Sequence, residues 1–484
     1  MRKWSALIAV SIGTFMLLVD VTIVTVALPA IARDLDATLG GLQWVLDGYA
    51  LALAAVLLAS GALADRRGRR RVYLVGTVVF ALASLLCAAA PNAEFLVAAR
   101  FLQGLGGAAM LATTVAILSV AYTGRDRGVA FGIWGAVNGA AAAAGPIAGG
   151  LLTEHLGWRW IFLVNLPVSV LALWFTLRGV TESRGRADAR LDLPGTVTFT
   201  ISAAAVTFAL IRGGDAGWTS ASTLISFGVA AAALVAFVAV ERRTAHPMLD
   251  LRLFSLARPS FAVLMTAAVL AQAAAFAYLP FTTVWLQQFL GRGPVDAGLL
   301  GALPMSAASF VAGFAGGRLF QRIAPRWTIG LGLILIAAGA FLQARLTPTS
   351  TGTALIPGLV VVGLGVAAVL PTMASASLAA VPHERSGMAG GAMNTFRQLG
   401  FALGVAVFGS IFTNRLTSHH PTTPASANAA AADAVNHVLT VAGWIALAGA
   451  ALVLLLVRTG RPAWEAQPAT TTKPAPTSAV HEAA

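Results

Sequence analysis

Asp20 is an acid in apolar company. Fourteen residues without a charge, Ala6 to Val19, precede it, and the apolar run resumes through Ile31. A carboxyl in such surroundings can do proton chemistry: desolvation favours the neutral acid and a nearby guanidinium favours the carboxylate, so a change of surroundings loads or unloads a proton. Arg100, a few residues into the run 95–119, is the candidate guanidinium, and a fixed Asp20–Arg100 pair that only joins two helices is the plainer alternative. Arg397 sits about ten residues into the run 387–413, with Asn394 and Gln398 beside it. Its planar fork can receive an anionic group, or it can tie off backbone carbonyls of neighbouring helices. A third concentration of charge is "GALADRRGRRR", Gly61 to Arg71, in which Asp65 stands just before five arginines.

The elements that carry these residues are set by composition. The 484-residue chain is 58% hydrophobic and 11% charged, far from the roughly 25% charged residues of soluble domains. Its mean hydropathy of +0.81 makes lipid its solvent. A bilayer core of ~30 Å takes ~20 apolar residues per helix. Fourteen such runs are present: 6–31, 44–64, 72–91, 95–119, 128–153, 158–178, 193–212, 221–240, 259–282, 297–317, 327–346, 353–379, 387–413 and 438–457. Arg2 and Lys3 before the first run have the shape of a signal peptide, but the run continues past Asp20 and a polytopic chain follows, so it reads as span 1. Cys87 is the single cysteine and allows no internal disulfide.

The net charge of +13 is explained by its placement. With the N-terminus inside, both ends and every second loop face the cytoplasm, and 24 of the 32 Lys and Arg fall there. Six lie at outward loops and helix ends, and only Arg100 and Arg397 lie within spans. That is the positive-inside bias of a plasma-membrane protein with both termini cytoplasmic; nucleic acid is not needed to account for it.

The chain also repeats itself. "GALADRRGRR" from Gly61 aligns with "GRLFQRIAPR" from Gly317, and "GAVN" at 135–138 with "GAMN" at 391–394, both at an offset of 256 residues; "GLGGAA" at 104–109 aligns with "GLGVAA" at 363–368 at an offset of 259. Three matches in order at nearly one offset divide the chain into two related halves, a pattern of transporters. The expected layout is an N-terminal six-helix bundle over 1–180, two linker helices within 181–250, a C-terminal six-helix bundle over 251–457, and a Pro-, Thr- and Ala-rich tail, 458–484, that reads as disordered.

Several segments carry a resemblance. "GALADRRGRRR" resembles the motif between spans 2 and 3 of the major facilitator superfamily, and "RFLQGLGGAAM" its span 4 motif. "GAVNGAAAAAGPIAGG" resembles the span 5 motif of drug:proton antiporters. "LVDVTIVTVALPAI", "WRWIFLVNLP" and "NTFRQLG" are similar to the fourteen-helix branch of quaternary-ammonium, multidrug and antibiotic-resistance exporters. The resemblance implies an all-α major facilitator fold, two pseudo-symmetric six-helix bundles plus two inserted helices. It implies a monomeric proton-coupled exporter of drugs, antibiotics or similar amphipathic molecules, working by alternating access. Export of one specific metabolite or natural product is the alternative. Its partners would be the substrate, protons and the bilayer, with no cofactor beyond the proton gradient.

Roles follow from the same resemblance. Asp20 and Arg100 would couple protons. Asp65, with Gly61, Arg66, Gly68 and Arg69, would gate the cytoplasmic side by facing the start of span 11 near Trp327, while Gln321 holds the equivalent place in the second half. Gly145, Pro146, Gly149 and Gly150 would kink span 5 and seal the cavity, and even without that role they form a small-residue packing face. Candidate cavity residues are Asn138, Asn165, Gln272, Tyr278, Asn394, Arg397 and Gln398. Asp47 is expected at the outer interface. Span 10, "AGLLGALPMSAASFVAGFAGG", holds no carboxylate, which disfavours dications and suits a monocation, a zwitterion, or a neutral or phenolic compound. A membrane enzyme or a channel is the remote reading. All seven histidines fall at loops or ends, no metal-ligand spacing occurs, and no GxxxxGK phosphate loop is present.

Overall fold

The computed structural model describes residues 4–184, 192–245, 247, 249–254, 260–381, 386–418 and 423–457, with some side chains inside helices, among them Asn138 and Gln321, outside the description. The expected tail, 458–484, lies outside the described residues. Among them the chain is helical throughout, with no strand. The first half contains α1 (Ser5–Asp34), α2 (Leu39–Arg67), α3 (Arg69–Ala88), α4 (Ala93–Ala121), α5 (Gly124–His155), the single turn α6 (Trp160–Leu163) and α7 (Asn165–Gly179). Two helices follow, α8 (Leu193–Ala216) and α9 (Ala221–Arg243). The second half contains α10 (Ser260–Phe276), α11 (Leu279–Val284), α12 (Pro294–Gly301), α13 (Leu303–Arg322), α14 (Pro325–Gln343), α15 (Ile356–Ala379), α16 (Ser386–Ser418) and α17 (Pro424–Leu456).

Local chemistry explains the boundaries. Asn92 caps α4 by accepting from Phe95 N at 2.8 Å, Asp192 caps α8 through Gly195 N at 2.8 Å, and Thr423 and Ser426 form a reciprocal capping box on α17. α2 and α3 are separated by Gly68 alone, whose φ of +111° suits only glycine. Two predicted spans are broken. The span expected over 259–282 interrupts at Ala277–Tyr278 ahead of Pro280, restarts as α11 and ends in a π-helical turn, Trp285–Phe289. The span expected over 297–317 bends by 40° between α12 and α13, where Pro304 supplies no N–H.

Twelve helical segments among the described residues are long and apolar enough to cross a membrane, thirteen when the bent α12–α13 pair is taken as one span. The fourteenth expected span, 128–153, falls within α5, a continuous helix of 32 residues. The first-half helices pack chiefly on one another, as do α10 and α13–α17; α2 meets α16, α5 meets α12 and α13, and α1 meets α11 across the seam. α8 pairs with α9 and also lies against both α2 and α16. Ser410 Oγ donates to Leu210 O at 2.7 Å there, and Trp44 and Phe208 rings stand 6.2 Å apart.

The internal repeat reappears as a packing detail. A Cβ on Gly106 would come within 2.8 Å of Gly76 O and 2.6 Å of Phe80 N, so α3 and α4 touch backbone to backbone. Gly332 and Gly365, at the same 256- and 259-residue offsets, do the same for α14 and α15: a Cβ on Gly365 would sit 2.5 Å from Gly332 O. Small residues permit this approach where lipid gives no hydrophobic drive for association. Gly106→Val should therefore lower stability by about 1–3 kcal/mol through overpacking, read as a lower midpoint of thermal unfolding in detergent. Gly61→Ala, at a position with nothing within 4 Å, should leave it unchanged or raised; a tolerated valine at 106 would contradict the contact.

Candidate functional site

The polar centre of the first half is built from five helices. Asp20 is the sixteenth residue of α1 and has no exposed surface; Arg100, eight residues into α4, is 1% exposed. Arg100 Nη1 donates to Asp20 Oδ2 at 2.6 Å and to Gln103 Oε1 at 2.6 Å, while its Nε donates to Val45 O of α2 at 3.1 Å. Gln103 Nε2 donates to Asp20 Oδ1 at 2.9 Å and to Ser84 Oγ of α3 at 2.8 Å. Asn165, at the start of α7, donates from Nδ2 to Asp20 Oδ1 at 2.8 Å. The guanidinium lies 4.3 Å from the Tyr49 ring centre and 5.8 Å from that of Phe162.

Asp20 thus accepts three hydrogen bonds, one of them from a cation, and both charges are out of water. A buried pair of this kind gains little over an apolar core, but losing one partner strands the other, at a cost of about 3–5 kcal/mol. Chemically, the site holds a carboxylate whose donors all depend on the registry of α1 with α4 and α7. Any shift of α1 changes how well that negative charge is held.

Three participants were missed by the sequence reading. Gln103 carried a signal, since it follows Arg100 by one helical turn in "RFLQG" and must share its face. Ser84 and Tyr49 carried none, because their place depends on how α2 and α3 pack. Asn165, expected to line a cavity, is 2% exposed and donates from Nδ2 to Asp20 Oδ1 and, at 3.3 Å, to Ser84 Oγ. Tyr278 is likewise closed off in this structure: it is fully buried and its hydroxyl accepts from Gln343 Nε2 at 3.4 Å. The side chain of Asn138 lies outside the described residues.

Three other cavity candidates gather between α10 and α16, where Arg397 Nε donates to Gln272 Oε1 at 3.1 Å and Nη1 approaches Asn394 Oδ1 at 3.5 Å. Gln398, next in sequence, is partly buried. The α5 residues serve packing: Thr22 of α1 occupies the space a Cβ on Gly145 would need, Gly149 sits against Ile23, and Gly150 against Val295 of α12. Gly298 of α12 is pressed on Pro146 O.

At the α2–α3 turn, Asp65 Oδ1 accepts from Arg69 Nη2 at 2.9 Å and Nε at 3.1 Å, within its own loop. The expected approach to α14 near Trp327 is absent among the described contacts, and Trp327 is 49% exposed. Elsewhere along the seam, Gln287 Nε2 donates to Val26 O at 2.7 Å and α5 abuts α12. Gly61 meets nothing, Arg66 is exposed, and Gly68 leaves room for Glu182, whose carboxylate accepts from Arg70 N at 3.0 Å and Arg71 N at 3.2 Å. Glu182 therefore caps α3, a role its sequence position did not suggest.

Asp47 corrects another expectation. Expected at the outer interface, it is fully buried by protein, and neither carboxyl oxygen has a hydrogen-bond partner among the described residues. It lies one turn from Gln43, which presses on Gly409, and two from Ala54, whose carbonyl accepts from Thr395 Oγ1 at 3.2 Å. That stripe of α2 is covered by α16.

A bundle of membrane-length helices in two packed groups, with an ion pair sealed in one and an arginine between α10 and α16 in the other, is the architecture of a membrane transporter. The chain belongs to the Major Facilitator Superfamily, whose profile matches residues 10–405 and again 264–480. It is 38% identical over 413 residues to the multidrug resistance protein Stp of Mycobacterium tuberculosis, covering 85% of this chain and 76% of that one. It is 36% identical over 465 residues to the puromycin resistance protein of Streptomyces alboniger, covering 94% and 90%, and 35% identical over 429 residues to the tetracenomycin C resistance and export protein of Streptomyces glaucescens, covering 88% and 79%. Among solved structures, a bacterial homologue of the lysosomal transporter Spinster superposes with a TM-score of 0.67 at 19% identity, covering 95% of this chain and 97% of that one. A peptide transporter follows with 0.66 at 15% identity, covering 94% and 96%.

Arg100→Leu should destabilise the purified protein by about 3–5 kcal/mol, because it strands the Asp20 carboxylate. Adding Asp20→Asn should return much of that loss, measured by thermal unfolding in detergent. A double variant as unstable as the single one would mean that Arg100 acts through packing and not through its charge.

Proposed function

We propose that this chain is a proton-coupled exporter of drugs or antibiotics in the bacterial plasma membrane, working as a monomer by alternating access between the halves 1–180 and 251–457. The observation that carries the reading is the Asp20–Arg100–Gln103–Asn165 network, an intramembrane carboxylate held by three donors from two other helices, α4 and α7. Intramembrane charges of this kind are costly and mark ion pathways. Relatives at 35–38% identity named for multidrug resistance, puromycin resistance and tetracenomycin C export support the substrate class. In our reading α5 is the fourteenth span: its 32 residues reach ~48 Å at 1.5 Å per residue. Fourteen spans then put both termini in the cytoplasm and the chain in the fourteen-helix drug:proton branch.

In this reading the seam closed around Val26, Gln287 and Gly150 faces outward, and the α2–α3 turn faces the cytoplasm. Asp65 would reach α14 only in the opposite state, as a latch that the present arrangement has released. The Gly145–Gly150 stretch, wedged between α1 and α12, would keep protons and substrate from slipping past each other. Taking up a proton at Asp20 would discharge the carboxylate, loosen the hold of Gln103 and Asn165, and free α1 to move. The proton gradient supplies the drive and no other cofactor is invoked. A narrower reading, export of one natural product, is favoured by the relatives named for a single antibiotic.

The test is transport in proteoliposomes under an imposed pH gradient, with ethidium, puromycin and tetracenomycin C as probes. Asp20→Asn should reduce gradient-driven accumulation to the protein-free background while retaining substrate exchange without a gradient. Full gradient-driven transport in that variant would refute proton coupling through Asp20, and transport of a single probe would favour the narrower reading.

A further inference from the structure

Arg397 is the second intramembrane arginine, and its surroundings differ from those of Arg100 in kind. It is the twelfth residue of α16, ~17 Å along the axis from the helix start at 1.5 Å per residue. Gly400 and Gly404, one and two turns further on the same face, are pressed against Val269 and Ala273 of α10. The guanidinium therefore projects toward α10, away from the stripe through Thr395 that faces α2. There it meets only amides: Nε donates to Gln272 Oε1 at 3.1 Å and Nη1 points at Asn394 Oδ1 at 3.5 Å. No carboxylate stands within ion-pair distance of it among the described residues. Although it lies deep in a long apolar helix, the residue is only partly buried, whereas Arg100 is 1% exposed.

The other charges do not cancel it. Asp20 is already neutralised by Arg100 at 2.6 Å. Asp47 lies on the α2 stripe that α16 covers with its opposite face. Among the described residues of the second half's long helices, Arg397 is therefore a positive charge with no carboxylate partner, anchored through Nε on an amide oxygen. Amide dipoles offset part of the cost of such a charge, and an incoming anion would supply the rest. A guanidinium held in this way suits a planar oxyanion that accepts two parallel hydrogen bonds.

We propose that Arg397, fixed by Gln272, is a subsite for an acidic oxygen, a carboxylate or phenolate, on an otherwise apolar substrate. This rests on the exporter reading and narrows its substrate class.

The experiment uses the full chain purified in detergent and two dyes that share a xanthene core but carry opposite charge, fluorescein and rhodamine 123. Binding is read by fluorescence anisotropy. Arg397→Gln should weaken fluorescein binding about tenfold or more, equivalent to about 1.4 kcal/mol, and weaken rhodamine 123 far less. Arg397→Lys should recover part of the fluorescein loss, since lysine keeps the charge without the fork. Equal losses for both dyes, or a loss confined to rhodamine 123, would overturn the subsite. If Arg397→Gln fails to give a monodisperse protein, Arg397→Lys decides alone: a loss specific to fluorescein supports the subsite, and unaltered or equally reduced binding refutes it. Binding needs no gradient, so the two readings fail separately. Charge-selective binding without transport would refute the exporter and leave the subsite, and proton-driven transport with Arg397-independent binding would do the reverse.

Discussion

A charge pair buried among apolar helices has few stable arrangements, and the first half of this molecule is organised around one. Asp20 and Arg100 lie 2.6 Å apart with essentially no exposed surface. Each remaining polar atom of the pair needs a partner, and Val45 O, Gln103 and Asn165 supply them from α2, α4 and α7. Because the donors come from different helices, the network fixes their mutual registry. It also makes α1 sensitive to its own charge: a neutral Asp20 has weaker claims on Gln103 and Asn165 than an ionised one.

The second half repeats the backbone but not the chemistry. The close glycine contacts between α3 and α4 recur between α14 and α15 at the same offsets, so the helix spacing is common to both. In place of a neutralised carboxylate, the second half carries Arg397 on neutral amides. It also breaks where the first half is continuous, at Ala277–Tyr278 and between α12 and α13, and both breaks lie in helices that touch the seam. Two halves of similar helix packing thus carry unlike polar chemistry.

Much of this was legible in the sequence. Apolar runs placed the helices, and the match of "GLGGAA" with "GLGVAA" contains Gly106 and Gly365, which make equivalent close contacts in the two halves. Arg100 was the candidate partner of Asp20 because both fall in the same half of their spans, and the structure joins them at 2.6 Å. What escaped were features that depend on which face of a helix its neighbours cover. That Asp47 is shut away from solvent could not be read from its place near the start of its span, because it depends on α16 covering that face of α2. Asn165 looked like a cavity residue because nothing in the sequence shows that α7 turns it toward Asp20. The Asp65 contact expected near Trp327 is absent among the described residues, where Arg69, one turn further on, takes the carboxylate.

Proton release on substrate binding tests the switch at Asp20 most directly. Ethidium would be added to the purified chain in weakly buffered detergent solution and the pH followed with an indicator dye, across starting values from mildly acidic to neutral. If Asp20 exchanges its proton against substrate, the wild-type protein releases protons on binding and Asp20→Asn binds without releasing any. Equal release from both proteins would show that the proton comes from elsewhere and that the buried pair is only a structural tie.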